Sequence, residues 1–295
     1  MKKILVTGGS GFIGRNIAES YLNLKYELFV PPRSVLDCSD EESVRQYFEK
    51  YSFDAIIHSA AKPGHRNAAD SSNLFYTNSR MLFNLLKYTG SWGKFLNMGS
   101  GAIYDMRHYQ PKMKESYFGT HIPADEHGYN KYILGKLLPA LQNVYDFRIF
   151  GIYGKYEDYS IRFISNAICK AIFELPVTLR QNRKFDYLFI DDLMPVLEYF
   201  IENTPKEKAY NITPDNAVGL LEITKIIKKI SLTDIDIQVA NEGIGMEYSG
   251  DNELLRSEIS NLKFTEIQKG VEDLYEWYSA HKQSINEQLL LTDKK

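Results

Sequence analysis

The chain has 295 residues, 44% of them hydrophobic, and its 35 basic and 38 acidic side chains leave a net charge of -3. That length suits either one large domain or a domain carrying a smaller lobe, and the composition suits a globular core. The lack of a basic excess argues against a nucleic-acid partner, and no run approaches the ~20 apolar residues of a membrane span.

The first strand reads Lys3–Val6, and its apolar run Ile4-Leu5-Val6 stops at Thr7 before Gly8, Gly9, Gly11 and Gly14. Glycines so spaced allow a sharp turn, close approach of a phosphate to the backbone, and packing of the next helix against the strand. The helical pattern over 12–24 then offers its N-terminal amides and dipole to a pyrophosphate. Because this strand begins at residue 3, no leader segment is expected, and the expected setting is the cytoplasm.

Further strands are expected at 27–30, 54–59, 94–98 and 147–152, with helices at 39–50, 70–89 and 130–144 between them. The helix at 39–50 opens with the capping box Ser39-Asp40-Glu41-Glu42. This alternation predicts an α/β fold with a Rossmann-type doubly wound parallel sheet, its ligand lying beyond the carboxyl ends of the strands.

After Gly154 the rhythm changes to a polar turn, a helix at 161–174, a strand at 187–190 and a helix at 193–202. A strand at 210–213, a helix at 220–230, a strand at 235–239 and a helix at 265–280 follow. The expected division is a dinucleotide domain over 1–154, to which 186–204 returns. A smaller C-terminal α/β substrate lobe spans 155–185 and 205–282, and 283–295 is expected to be a frayed tail. Cys38 and Cys169 show no metal-ligand spacing and read as reduced thiols. The histidines form no HxH or HxxxH pair, so no metal site is expected.

Two segments carry candidate chemistry. Ser100 follows the fourth strand, and Tyr132 and Lys136 stand four apart on one helix face. A neighbouring ammonium favours phenolate, which suits proton exchange with an alcohol or ketone, and a serine hydroxyl can hold the same oxygen. Tyr21 and Lys25 share the spacing, but there the reading is a core tyrosine and a solvated lysine.

TGGSGFIG at 7–14, HSAA at 58–61, the segment Ser100 to Tyr104, YILGK at 132–136, RIFGIYG at 148–154 and YLFIDD at 187–192 occur in the order typical of one family. In these motifs the chain resembles the extended short-chain dehydrogenase/reductases, and more narrowly the nucleotide-sugar epimerase/dehydratase family. Its layout is similar to the GDP-fucose synthase branch, which reduces a 4-keto-6-deoxy sugar on a nucleotide. The resemblance implies a catalytic triad of Ser100, Tyr132 and Lys136, with Tyr132 as acid/base and Lys136 also holding the nicotinamide ribose. It implies cofactor contacts from Gly8, Gly11, Phe12, Ile13 and Gly14. It places Asp37 and Cys38 near the adenine, and Ser59, Ala60, Ala61 and Lys62 along the phosphate and nicotinamide side. Asn78 would brace the site, and a homodimer would form through the helices near 70–89 and 130–144.

An NAD enzyme of this fold usually ends its second strand with a carboxylate for the ribose hydroxyls. Here the sequence is Val30-Pro31-Pro32-Arg33-Ser34, with no acid at that place. Arg33 and Ser34 suit a 2′-phosphate, so NADP is expected ahead of NAD; Arg15 reads equally as a ligand or a surface residue.

Departures narrow the activity. Ala102 stands where the fucose synthases carry an epimerising cysteine, and Arg162 falls near their histidine position. Phe185 replaces an arginine that often grips the substrate diphosphate; Arg180, Arg183 or Lys184 could substitute, or this is a solvated basic turn. The expected function is NADP-dependent reduction of a nucleotide-linked 4-keto(-6-deoxy) sugar. A 4-epimerase with tightly bound NAD is the alternative, followed by a dehydratase and an inactive cofactor-sensing protein.

Overall fold

Residues 1–63 and 72–291 are described in the structure, a computed structural model. The first strand β1 (Lys3–Thr7) leads through the glycine turn to α1 (Phe12–Glu19) and the short α2 (Leu22–Lys25), and thence to β2 (Glu27–Phe29). Then come α3 (Glu41–Lys50), β3 (Phe53–His58), α4 (Leu74–Leu86) and β4 (Trp92–Met98). Next are α5 (Glu126–Leu137), β5 (Val144–Ile149) and β6 (Gly151–Tyr153). Residues 70–71 of the helix expected over 70–89 lie outside the described residues. The expected helix over 130–144 begins earlier, where Asp125 accepts a hydrogen bond from the Gly128 amide and caps it.

The C-terminal part contributes α6 (Phe163–Ile172), β7 (Val177–Asn182), β8 (Lys184–Phe185), β9 (Tyr187–Phe189) and α7 (Leu193–Glu202). It continues with β10 (Ala209–Ile212), β11 (Val218–Gly219), α8 (Leu220–Ser231), β12 (Ile237–Ile244), α9 (Glu253–Glu258) and α10 (Ile267–Ala280).

Six strands form one parallel sheet in the order β10-β5-β4-β3-β1-β2. Ile4, Leu5 and Val6 in β1 and Ala55, Ile56 and Ile57 in β3 have no exposed surface, because helices cover both faces. Strands buried on two sides read as unbroken apolar runs, which is why they were visible in the sequence.

Three expectations about the second half change. Tyr187–Phe189 does not rejoin the large sheet; β9 pairs with β6 in a separate two-stranded ribbon. The sixth strand is instead β10, which pairs in parallel with β5 and belongs to the first domain rather than to the substrate lobe. Nor is the tail frayed through residue 291: Ile285 and Leu290 are buried in the main core, so apolar burial fastens it. The other described C-terminal strands form two short ribbons, β12 with β7 and β11 with β8.

Candidate active site

The register across the sheet aligns Thr7, His58, Asn97 and Asp146 in a transverse row, at the carboxyl ends of β1, β3 and β4 and midway along β5. Thr7 Oγ1 and His58 Nδ1 lie 2.8 Å apart, and Asn97 Nδ2 donates to Asp146 Oδ1 at 2.7 Å. Burial, helped by the Lys131 charge, pushes the His58 pKa down to about 3, so this ring is a neutral structural link.

Above the row lies the glycine turn. Gly8 has φ +73°, and a Cβ there would stand 2.7 Å from the Ala60 amide nitrogen. A Cβ on Gly14 would collide with the Gly8 carbonyl oxygen, so the first turn of α1 sits directly on the loop. The cradle between this turn and Ser59-Ala60-Ala61 admits backbone and little else, which fits a dinucleotide pyrophosphate against the α1 amides. Gly11 precedes the first turn as its N-cap, while Phe12 and Ile13 pack half-buried against the main core.

The ribose end is held differently from the simplest expectation. Arg33 is 81% exposed, and its Nε donates to Asp37 Oδ2 at 2.9 Å. Although partial burial opposes it, Ser39 and Arg33 together hold the Asp37 carboxyl below its ordinary range. Ser34 is exposed beside Arg33. Cys38 contributes no side chain to this surface: its thiol is buried in the core behind α3 and α4, and burial pushes it up to about 12. Arg15 is a surface residue, paired with Glu19 at 3.0 Å and stacked 3.7 Å over the Tyr156 ring. Asn78 does brace the loop, bonding both the amide and the carbonyl of Lys62.

Ser100 ends β4's extension with its Oγ accepting from the Ala102 amide at 3.1 Å. The partners expected on α5 are elsewhere. Tyr132 is buried in an aromatic cluster with Ile103, Tyr104, Tyr109, Met113 and Phe150, its ring 5.2 Å from Phe118. The Lys136 ammonium lies over the Phe118 and Tyr132 rings, 4.8 and 5.4 Å from their centroids. This pair therefore faces the 101–118 segment and is absent from the small cavity lined by Ala60, Ala61, Asn97 and Met98. Lys131 lines that cavity instead, its Nζ 3.3 Å from the Met98 carbonyl oxygen. Desolvation lowers the Lys131 pKa, opposed by the Asp146 charge.

The reason is helical phase. Leu134 and Leu138 are the core-facing residues of this segment, and Lys131 falls on their stripe at i, i+3 and i+7. That stripe was legible in the sequence and could have selected Lys131 over Lys136.

The C-terminal lobe brings further groups. A Cβ on Gly101 would stand 2.8 Å from the Tyr248 hydroxyl, which lies beside the Ser100 hydroxyl. Arg162, exposed at the N-terminus of α6, and Arg183, 5.5 Å from the Phe185 ring, both act on Tyr187. Arg180 is exposed on β7. Two buried carboxyls adjoin Tyr187: burial pushes Glu157 and Asp186 each up to about 8.

Residues 4–213 match the model of the NAD dependent epimerase/dehydratase family. The chain belongs to that family. The family comprises nicotinamide-dependent epimerases, dehydratases and reductases, and the chain is one of these enzymes. It is 23% identical over 254 residues to GDP-L-colitose synthase of Yersinia pseudotuberculosis, covering 77% of this chain and 82% of that one. A shorter match, 30% over 107 residues, links it to GDP-L-fucose synthase of Azorhizobium caulinodans and spans 35% and 34% of the two chains. Among solved structures, GDP-mannoheptose C4 reductase from Campylobacter jejuni, with NADP bound, superposes with a TM-score of 0.81 at 20% identity, covering 94% and 98%. The NADP-bound GDP-L-fucose synthetase from Naegleria fowleri gives 0.82 at 15%, covering 96% and 95%. No helix among the described residues is long and apolar enough to cross a membrane.

Proposed function

We propose that this chain is an NADP-dependent reductase of a nucleotide-linked 4-keto(-6-deoxy) sugar. The observation that carries the reading is the placing of Lys131 against the Met98 carbonyl, two residues before Ser100, in a cavity shared with Ala60, which packs against Gly8 of the glycine turn. The pyrophosphate would rest on the backbone of Gly8 to Gly14 and the 2′-phosphate on Arg33 and Ser34, with Lys131 toward the nicotinamide ribose. When bound in its reduced form, the nicotinamide supplies a hydride.

The residues of the chain do the rest. The Ser100 hydroxyl holds the sugar carbonyl oxygen and fixes its carbon for attack. The Lys131 ammonium lends positive charge near that oxygen as negative charge develops on it. Arg162 and Arg183 suit the diphosphate of the substrate, since a diphosphate needs cationic forks rather than one fixed position. Ala102 leaves the serine loop without an acid or base for proton abstraction beside the ketone, which favours reduction over epimerisation. Gly101 and Ala102 likewise offer no carboxylate to assist loss of water.

The test is consumption of NADPH, followed as falling absorbance, with GDP-, CDP- and dTDP-4-keto-6-deoxyhexoses. Turnover with at least one supports the reading. No consumption, with NAD released on denaturation, would favour a 4-epimerase.

A further inference from the structure

Reduction of a carbonyl needs a proton as well as a hydride, and the phenol of Tyr132 lies in the aromatic cluster rather than the cleft. We propose that His127 donates that proton, acting one helical turn before Lys131 on the cleft face of α5; this rests on the reductase reading above.

The placement follows from three observations. First, residues four apart on a helix share a face, and Lys131 defines the face of α5 turned to the cavity under Ala60 and Met98. Second, the first turn of α5 is pressed onto the serine loop. A Cβ on Gly128 would stand 2.7 Å from the Ala102 carbonyl oxygen, so His127 belongs to the turn that abuts Ser100 to Ala102. Third, His127 is half-buried, and its Nδ1 is withdrawn from solvent. A group that only decorated the surface would have both ring nitrogens wet.

Imidazole suits the task, because its ordinary pKa near 6.5 keeps both protonation states accessible around neutrality. The positive groups around it are the Lys131 ammonium one turn on and the N-terminal dipole of α5. The negative groups in the same turn are Asp125 and Glu126. Each already has a partner, Asp125 the Gly128 amide and Glu126 the Phe75 amide at 3.0 Å. On the facing serine loop the nearest carboxylate, Asp105, is bound to Arg107. In the step itself, hydride adds to the carbonyl carbon and the nicotinamide is oxidised. The π pair passes to oxygen, which takes the imidazolium proton; solvent then returns a proton to the ring.

The competing donor is Tyr248, the hydroxyl beside Ser100. Burial and the Asp186 charge push its pKa up, which makes it a hydrogen-bond donor and a weak acid.

The experiment combines a pH profile with a resonance. Wild-type kcat/KM should fall as pH rises through the imidazole range. His127→Asn should lose about 10²- to 10⁴-fold in kcat, with NADPH affinity changed by no more than a few-fold. His127→Tyr should recover part of that rate and move the falling limb to higher pH, whereas Tyr248→Phe should keep the wild-type limb. Independently of turnover, the imidazole signal missing from the His127→Asn spectrum should shift when NADP⁺ is added. A His127→Asn enzyme within a few-fold of wild type, a limb that vanishes in Tyr248→Phe, or a His127 signal indifferent to NADP⁺ overturns the proposal. If wild type reduces none of the sugars, the reductase reading fails and the resonance alone decides the position of His127.

Discussion

Asn78 clasps the backbone of Lys62 from both sides: its Oδ1 accepts from the amide at 2.7 Å, and its Nδ2 donates to the carbonyl at 3.2 Å. The clasp ties the loop after β3 to α4 and fixes Ala60 and Ala61 against the glycine turn. Asn78 is itself 6% exposed, so removing its amide strands two polar backbone groups in a poorly hydrated place. Asn78→Ala should cost about 1–3 kcal/mol, visible as a melting temperature lower by several degrees. NADPH affinity should fall by more than stability alone explains, because the loop loses its register. An unchanged dissociation constant by fluorescence titration would show that the clasp serves packing only.

Arg33 carries the argument for NADP, yet in the free protein it is paired with Asp37. An exposed ion pair of this kind contributes little to stability, about 0–1 kcal/mol, so the arginine is available to exchange Asp37 for a phosphate. Arg33→Ala should therefore leave the melting temperature nearly unchanged while weakening NADPH about tenfold or more relative to NADH. Equal weakening of the two cofactors, measured by parallel titrations, would remove the argument. Asp37→Asn should shift preference slightly further toward NADPH by freeing Arg33.

How much of this was legible in the sequence depends on whether a residue's neighbours are local. The glycine turn declared itself because Gly8, Gly11 and Gly14 answer to backbone geometry within one strand-turn-helix unit. The parallel strands declared themselves through double-sided burial, as in Ile4-Leu5-Val6. The helix α7 was located to the residue for the same reason, an apolar stripe from Leu193 to Ile201. Long-range pairings were not legible: nothing within Tyr187–Phe189 says that it pairs β6 rather than the main sheet. The candidate site failed on a finer point. Tyr132 and Lys136 satisfied the spacing of a catalytic pair, but spacing fixes only that two residues share a face, not which face. Tyr248 was beyond local reading, since it meets Gly101 from 147 residues away in the chain.

Tyr132 provides the direct check on that correction. Its ring packs with Phe118 and the aromatic cluster around Tyr104 and Phe150, a role that phenylalanine can fill. Tyr132→Phe should keep kcat within about twofold and unfold at nearly the wild-type temperature. Tyr132→Ala should cost about 3–5 kcal/mol by opening a cavity. A Phe variant with activity lost and folding intact, judged by turnover and circular dichroism, would return the phenol to the reaction.

Glu157 gives a prediction about pH. Its carboxyl is buried and accepts a hydrogen bond from Ser165 Oγ at 2.7 Å; burial outweighs this and the nearby Arg162 charge, pushing the pKa up to about 8. In the unfolded chain the same group releases its proton near pH ~4.3. Between those values the folded state binds more protons than the unfolded one, so stability falls as pH rises from about 4 to about 8 and levels off above. Asp186, also raised to about 8 with Thr213 and the Gly250 amide as donors, acts in the same direction. Each raised carboxyl contributes on the order of a few kcal/mol to this slope, at 1.4 kcal/mol per unit. Glu157→Gln keeps an acceptor for Ser165 and removes the titration. Its melting temperature should match wild type near pH 5 and exceed it at pH 8.5. Urea denaturation at the two pH values would show the same crossover. Parallel curves for the two proteins would mean that Glu157 is already ionised when folded, with Arg162 as its counter-ion.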